Sequence, residues 1–170
     1  AGAPEGGDFP YPSKSDNVHH EIELVCALGG GGVDIPEDKA MDLIWGYGVG
    51  LDMTRRDLQG EAKKARRPWD VGKAFENAAP IAPLHPATDV GDMSQARIWL
   101  DVNNETRQDG NSNQSIWSMP ETISYLSGLF ELRPGDLIFT GTPAGVGPVV
   151  PGDVLEGGVE GLGDIKITVV

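Results

Sequence analysis

The chain has 170 residues, a formal net charge of −13 and a single cysteine, Cys26. That length suits one domain with a core of its own. Its 24 glycines and 13 prolines exclude a helical bundle, and its 39% hydrophobic share excludes wholesale disorder.

The first twelve residues, AGAPEGGDFPYP, lack an initiator Met and a signal-like segment, and residues 1–17 read as an extended lead-in. Residues 19–28 alternate as a strand. Ile22, Leu24 and Cys26 share one face; Glu21, Glu23 and Val25 share the other. Four glycines at 29–32 end it, and Pro36 opens a short helix with Ala40, Leu43 and Ile44 on one side. The next strand sets Tyr47, Val49, Leu51 and Met53 opposite Gly48, Gly50, Asp52 and Thr54. A polar helix is expected from Arg55 to Arg67, ended by Pro68. Further strands are expected at 79–84 and 97–102, and Asn103-Asn104 marks a hairpin turn. Ser118-Met-Pro-Glu121 is a capping box for a helix running to about Phe130. A strand over DLIFTG, the loop TPAGVGP and two short strands around 153–156 and 164–170 close the chain. The expected class is mixed α/β, mostly β, arranged as a mixed β-sandwich or roll in a single domain over 1–170.

Charge is unevenly spread. Seven of the 13 basic residues lie between Arg55 and Lys73, against Asp57, Glu61 and Asp70. That block reads as a solvated helix face or, alternatively, as one of which part faces a small anion. So acidic a chain repels phosphate backbones, which argues against nucleic acid. No apolar run reaches the roughly 18–20 residues of a membrane span, so no membrane partner is expected. One unpaired cysteine points to the reducing cytoplasm.

Glu21 and Glu23 are the most informative pair. At i and i+2 of a strand they share a face, about 6.5–7 Å apart along the chain. Two carboxylates so placed repel unless a cation or basic partners intervene. An isolated Glu-x-Glu is more often the wet face of a strand, but Asp52 strengthens the metal reading. It shares a face with Gly48 and Gly50, whose missing side chains leave room for an ion or ligand. Three carboxylates without a thiolate suit Mg²⁺ or Mn²⁺, with Ca²⁺ a further candidate. His19, His20 and His85 do not form a zinc pattern; His19 and His20 read as surface or strand-end residues.

The segments HHEIELV, GLDMTRRDLQ, RRPWDVGKAF and LIFTGTPAGVG, in that order, resemble the fumarylacetoacetate hydrolase superfamily, in particular its small acylpyruvase and fumarylpyruvate hydrolase branch. The resemblance spans nearly all of residues 10–170. It implies the fold of that family's C-terminal domain, and Mg²⁺ or Mn²⁺ held by Glu21, Glu23 and Asp52. It also implies substrate binding by Arg56, Gln59, Lys73 and Thr142, with Arg56 acting in a structural or electrostatic way. Lys73 would stabilise a developing enolate oxyanion, while Lys63, Lys64, Arg66 and Arg67 stay solvated.

The implied activity is hydrolysis of a C–C bond in an acylpyruvate-type 1,3-diketo acid, such as fumarylpyruvate, in aromatic-compound catabolism. The partner is then a small anionic keto acid, and the family usually forms homodimers. The same enolate chemistry would serve oxaloacetate decarboxylation, and a silent metal-binding scaffold is a third reading. The resemblance places the catalytic His and Glu on a lid segment of roughly 50 residues upstream of Ala1, so no general base is assigned within the chain.

Overall fold

Twelve strands and five short α-helices form among residues 7–170, the part of the chain described by the computed structural model. Residues 1–6 of the expected lead-in lie outside it. The strands are β1 (Gly7–Phe9), β2 (Val18–His20), β3 (Ile22–Leu28), β4 (Ile44–Leu51), β5 (Thr54–Arg55) and β6 (His85–Pro86). They continue with β7 (Arg97–Val102), β8 (Glu105–Asn111), β9 (Leu137–Phe139), β10 (Gly147–Val149), β11 (Val154–Val159) and β12 (Gly163–Val169). The helices are α1 (Glu37–Ala40), α2 (Arg56–Ala65), α3 (Asp70–Lys73), α4 (Ala87–Val90) and α5 (Met119–Ser127).

Three sheets result. The largest is ordered β1-β12-β11-β7-β8 and is antiparallel except for the parallel β1–β12 pair. A second, antiparallel sheet is ordered β6-β4-β3-β9, and a third β10-β2-β5. Both faces of β3 are buried, and the alternation read in the sequence decides which of them enters the main apolar cluster. Ile22, Leu24, Cys26, Val49 and Leu51 meet Leu100, Leu155 and Ile167 in one buried cluster between the first two sheets. The fold is therefore mixed α/β, dominated by strands.

Local signals in the sequence correspond to real structures. Asn103 and Asn104 both adopt positive φ, as a two-residue turn between β7 and β8 requires. The Ser118 hydroxyl caps α5 reciprocally with Glu121, and that helix ends at Ser127, short of Phe130.

Three expectations need correction. Residues 79–84 form no strand; Ile81 makes a single bridge to Gly50, because Pro80 and Pro83 supply no N–H to a ladder. The lead-in is partly strand, since β1 pairs with β12. The glycine face of β4 is not open. A Cβ on Gly48 would lie 2.7 Å from Leu84 Cδ2, and one on Gly50 would lie 2.7 Å from Val25 Cγ2 and 2.8 Å from the Phe139 ring. Those glycines admit protein side chains, not a ligand.

Adding a methyl group to this packed face should be costly. Gly50→Ala is expected to lower stability by about 1–3 kcal/mol, read as a lower urea midpoint with unchanged slope. An unchanged midpoint would show that Phe139 yields freely.

Candidate metal centre

Two neighbouring strands change sheets at the same level, and the residues at the two crossings carry the site. β2 pairs with β5 in the third sheet, β3 with β4 in the second. Glu21 lies between β2 and β3, and Asp52 between β4 and β5; the Asp52 N–H donates to the Glu21 carbonyl at 2.9 Å. Glu23 follows on the face of β3 turned away from the sandwich core. Carboxylate oxygens of Glu21, Glu23 and Asp52 thereby lie within 4.8 Å of one another. Glu23 is 4% exposed, so this is not the wet face of a surface strand.

Helix α2 and the short helix α3 bring in the countercharge. A Cβ on Gly72 would lie 3.1 Å from Gln59 Cβ and 3.3 Å from the Arg55 carbonyl. The absence of a side chain there lets α3 seat against the start of α2 and turns Lys73 inward. Lys73 Nζ donates to Glu21 Oε2 at 2.9 Å, Asp52 Oδ2 at 2.5 Å and Thr54 Oγ1 at 2.7 Å. All three of its protons are used. Arg56 donates to Glu21 Oε1 and, at 2.8 Å, to Gln59 Oε1. Lys63, Lys64, Arg66 and Arg67 are exposed and Arg55 lies over the Phe75 ring, so the basic block divides into an inward pair, one arginine packed on an aromatic ring and a solvated face.

The three carboxyls are electrostatically unequal. For Glu21, burial opposes ionisation, but the hydrogen bonds from Lys73 and Arg56 prevail and hold it below the usual carboxylate range. Burial raises Asp52, only partly opposed by Lys73. Burial pushes Glu23 up to about 7; the Gly141 N–H at 2.8 Å favours its charge, while Asp52 and Glu21 oppose it. Glu23 is the uncompensated member, facing two other carboxylates with no basic side chain on its own oxygens. A hard divalent cation relieves that repulsion, and an all-oxygen donor set suits one. The residues present fit such an ion.

Gln59 is buried, and its Nε2 enters no hydrogen bond among the described residues. The Thr142 hydroxyl donates to the Ile22 carbonyl at 2.7 Å and accepts from Gln108 Nε2 at 2.7 Å. Its backbone N–H has no partner among the described residues. His20 lies at a strand end but is buried, not on the surface, and its Nδ1 is 2.9 Å from Gln108 Oε1. His19 Nε2 pairs with Asn17. Gln108 carried no signal in the sequence, where it stands in the polar run ETRQDG.

A strand-crossing acidic cluster backed by a half-buried, inward-turned lysine defines a metal-assisted enzyme site more readily than a binding module. The profile of the fumarylacetoacetate (FAA) hydrolase C-terminal family matches residues 1–170, and the chain belongs to that family. It is 47% identical over 164 residues to a fumarylpyruvate hydrolase of Ralstonia sp, covering 96% of this chain and 85% of the relative. It is 44% identical over 167 residues to the mitochondrial oxaloacetate tautomerase FAHD1 of Mus musculus, covering 98% and 76%. The crystal structure of the Pseudomonas aeruginosa fumarylpyruvate hydrolase in complex with Mn²⁺ and pyruvate superposes with a TM-score of 0.97. That protein is 53% identical, and the match covers 99% of this chain and 72% of that one.

The raised Glu23 carboxyl has a pH consequence. In the cation-free fold it holds its proton more tightly than when unfolded. Its contribution to stability is therefore complete below about 4.5 and lost as pH rises through about 7. A cation needs the ionised form, so the rise in Tm on adding Mn²⁺ should be small at pH 5.5 and larger at pH 7.5. Scanning calorimetry measures this directly; equal increments at both pH values would contradict the assignment.

Proposed function

We propose that this chain is a divalent-metal-dependent hydrolase that cleaves a C–C bond in an acylpyruvate-type 1,3-diketo acid. Fumarylpyruvate, giving fumarate and pyruvate in the breakdown of aromatic compounds, is the substrate that best fits its relatives. One observation carries the reading. Three carboxylates converge within 4.8 Å beside Lys73, in a chain 53% identical to a fumarylpyruvate hydrolase crystallised with Mn²⁺ and pyruvate.

Glu21, Glu23 and Asp52 are the proposed ligands of Mg²⁺ or Mn²⁺. Bound there, the ion supplies Lewis acidity towards the keto acid's oxygens and countercharge for a pyruvate enolate. The remaining work falls to the chain's side chains. Water adds to the distal carbonyl, the C–C bond breaks, and its electron pair passes to the pyruvate fragment as the enolate, which is then protonated. Lys73 places a positive charge beside that developing oxyanion, exchanging one of its three present acceptors for it. Arg56 keeps Glu21 ionised. Gln59 offers its unpaired Nε2, and Thr142 offers its backbone N–H to the substrate's carboxylate end, since its hydroxyl proton is already donated. No residue described here is assigned as general base: His20 is turned onto Gln108 and His19 onto Asn17.

We also propose a cytoplasmic homodimer. No helix among the described residues is long and apolar enough to cross a membrane. The exposed Tyr125, Leu129 and Phe130 offer apolar surface for a second copy.

A second reading, decarboxylation of oxaloacetate, shares the pyruvate enolate without attack by water, and a likeness of 42% over 156 residues to the mitochondrial oxaloacetate decarboxylase of Dictyostelium discoideum favours keeping it. The full-length, Mn²⁺-loaded protein should show a higher kcat/KM for fumarylpyruvate than for oxaloacetate. The reverse order would select the second reading, and turnover of neither would indicate a silent scaffold. Asp52→Asn should weaken Mn²⁺ binding at least about 10–100-fold and reduce hydrolysis with it. Unchanged affinity and rate would refute the ligand assignment.

A further inference from the structure

We infer that Gln108 and the Thr142 hydroxyl are positioning residues that clamp the peptide between Glu21 and Glu23 and so set the spacing of those carboxylates. This rests on the metal-site reading above. Gln108 comes from β8, in a different sheet from β2 and β3, the strands on either side of Glu21, and is 0% exposed. Its chain neighbours Thr106, Arg107 and Asp109 are exposed.

Each hydrogen-bonding position of the Gln108 amide is filled. Oε1 accepts from the Ile22 N–H at 3.2 Å and from His20 Nδ1 at 2.9 Å. Nε2 donates to Thr142 Oγ1 at 2.7 Å and to the Pro143 carbonyl at 2.8 Å. A carbonyl can only accept, which fixes Nε2 on the Pro143 side and requires the proton of His20 to sit on Nδ1. Thr142 then donates its own hydroxyl proton to the Ile22 carbonyl at 2.7 Å.

Both main-chain polar groups of Ile22 are therefore tied to one buried amide, the N–H directly and the C=O through Thr142. Ile22 is the residue between Glu21 and Glu23, so its two peptide planes decide how the carboxylates converge. The same amide anchors the 140–143 loop, whose Gly141 N–H binds Glu23. A fully satisfied buried network holds such geometry rigidly. Carboxylates that lost it would gain freedom that cation binding must then remove.

The test uses the full-length protein and Mn²⁺ affinity read by electron paramagnetic resonance, with KM and kcat for fumarylpyruvate measured at saturating Mn²⁺. Thr142→Val removes the hydroxyl at nearly constant volume and should raise the Mn²⁺ Kd about tenfold or more. Thr142→Ser keeps the hydroxyl and should bind Mn²⁺ as the wild type does. Gln108→Met should weaken Mn²⁺ similarly, and the double variant should be little worse than either single one, because both act through Ile22. An unchanged Mn²⁺ Kd in Thr142→Val with a raised KM would make the hydroxyl a substrate contact and overturn the clamp. A serine variant as weak as the valine variant would overturn it too. Wild-type protein that bound no Mn²⁺ would overturn the metal reading itself, and this inference with it.

Discussion

The repulsion among three carboxylates at a place where strands change sheets is the constraint on which the rest of this structure depends. Backbone geometry forces the convergence: Glu21 and Asp52 occupy matched crossings joined by one hydrogen bond, and Glu23 follows two residues on. Two basic side chains answer them, and both favour Glu21, which leaves Glu23 facing like charges in a buried setting. In so low a dielectric the imbalance has two outlets, a proton on Glu23 or a cation among all three. Function follows from the second.

The surrounding elements can be understood as what maintains that arrangement. Gly72 lets α3 approach α2 closely enough for Lys73 to turn inward. Arg56 opens α2 and reaches back to Glu21, while Gln59, one turn later, orients the guanidinium. Behind the carboxylates, the amide of Gln108 ties the large sheet to the β2–β3 crossing. The side chains that fix the site come from several elements distant in the chain, so the sandwich must be assembled before the site exists.

Much of this was legible in the sequence because the signals were local. Alternation separated Ile22, Leu24 and Cys26 from Glu21, Glu23 and Val25, and the buried cluster follows that division. Asn103-Asn104 and Ser118–Glu121 encode their turn and cap within a few residues. The charge clustered between Arg55 and Lys73 divides as the family resemblance implied, with Lys73 and Arg56 inward and a wet face beyond them. What could not be read was non-local. Gly48 and Gly50 suggested open space, but Leu84 and Phe139, distant in sequence, fill it. Pro80 and Pro83 withhold the donors that a strand at 79–84 would need. Gln108 sits among charged neighbours in β8, and nothing nearby in the chain says that its amide reaches four groups across the fold.

The central claim concerns where a cation sits, and anomalous scattering locates one directly. Crystals of the full-length protein grown with Mn²⁺ at pH 7.5, measured above the manganese edge, should show one strong peak bounded by carboxylate oxygens of Glu21, Glu23 and Asp52. Lys73 Nζ should be displaced from at least one of its carboxylate partners. A manganese peak elsewhere, or none with the Lys73 bridge to Glu21 and Asp52 intact, would contradict the account.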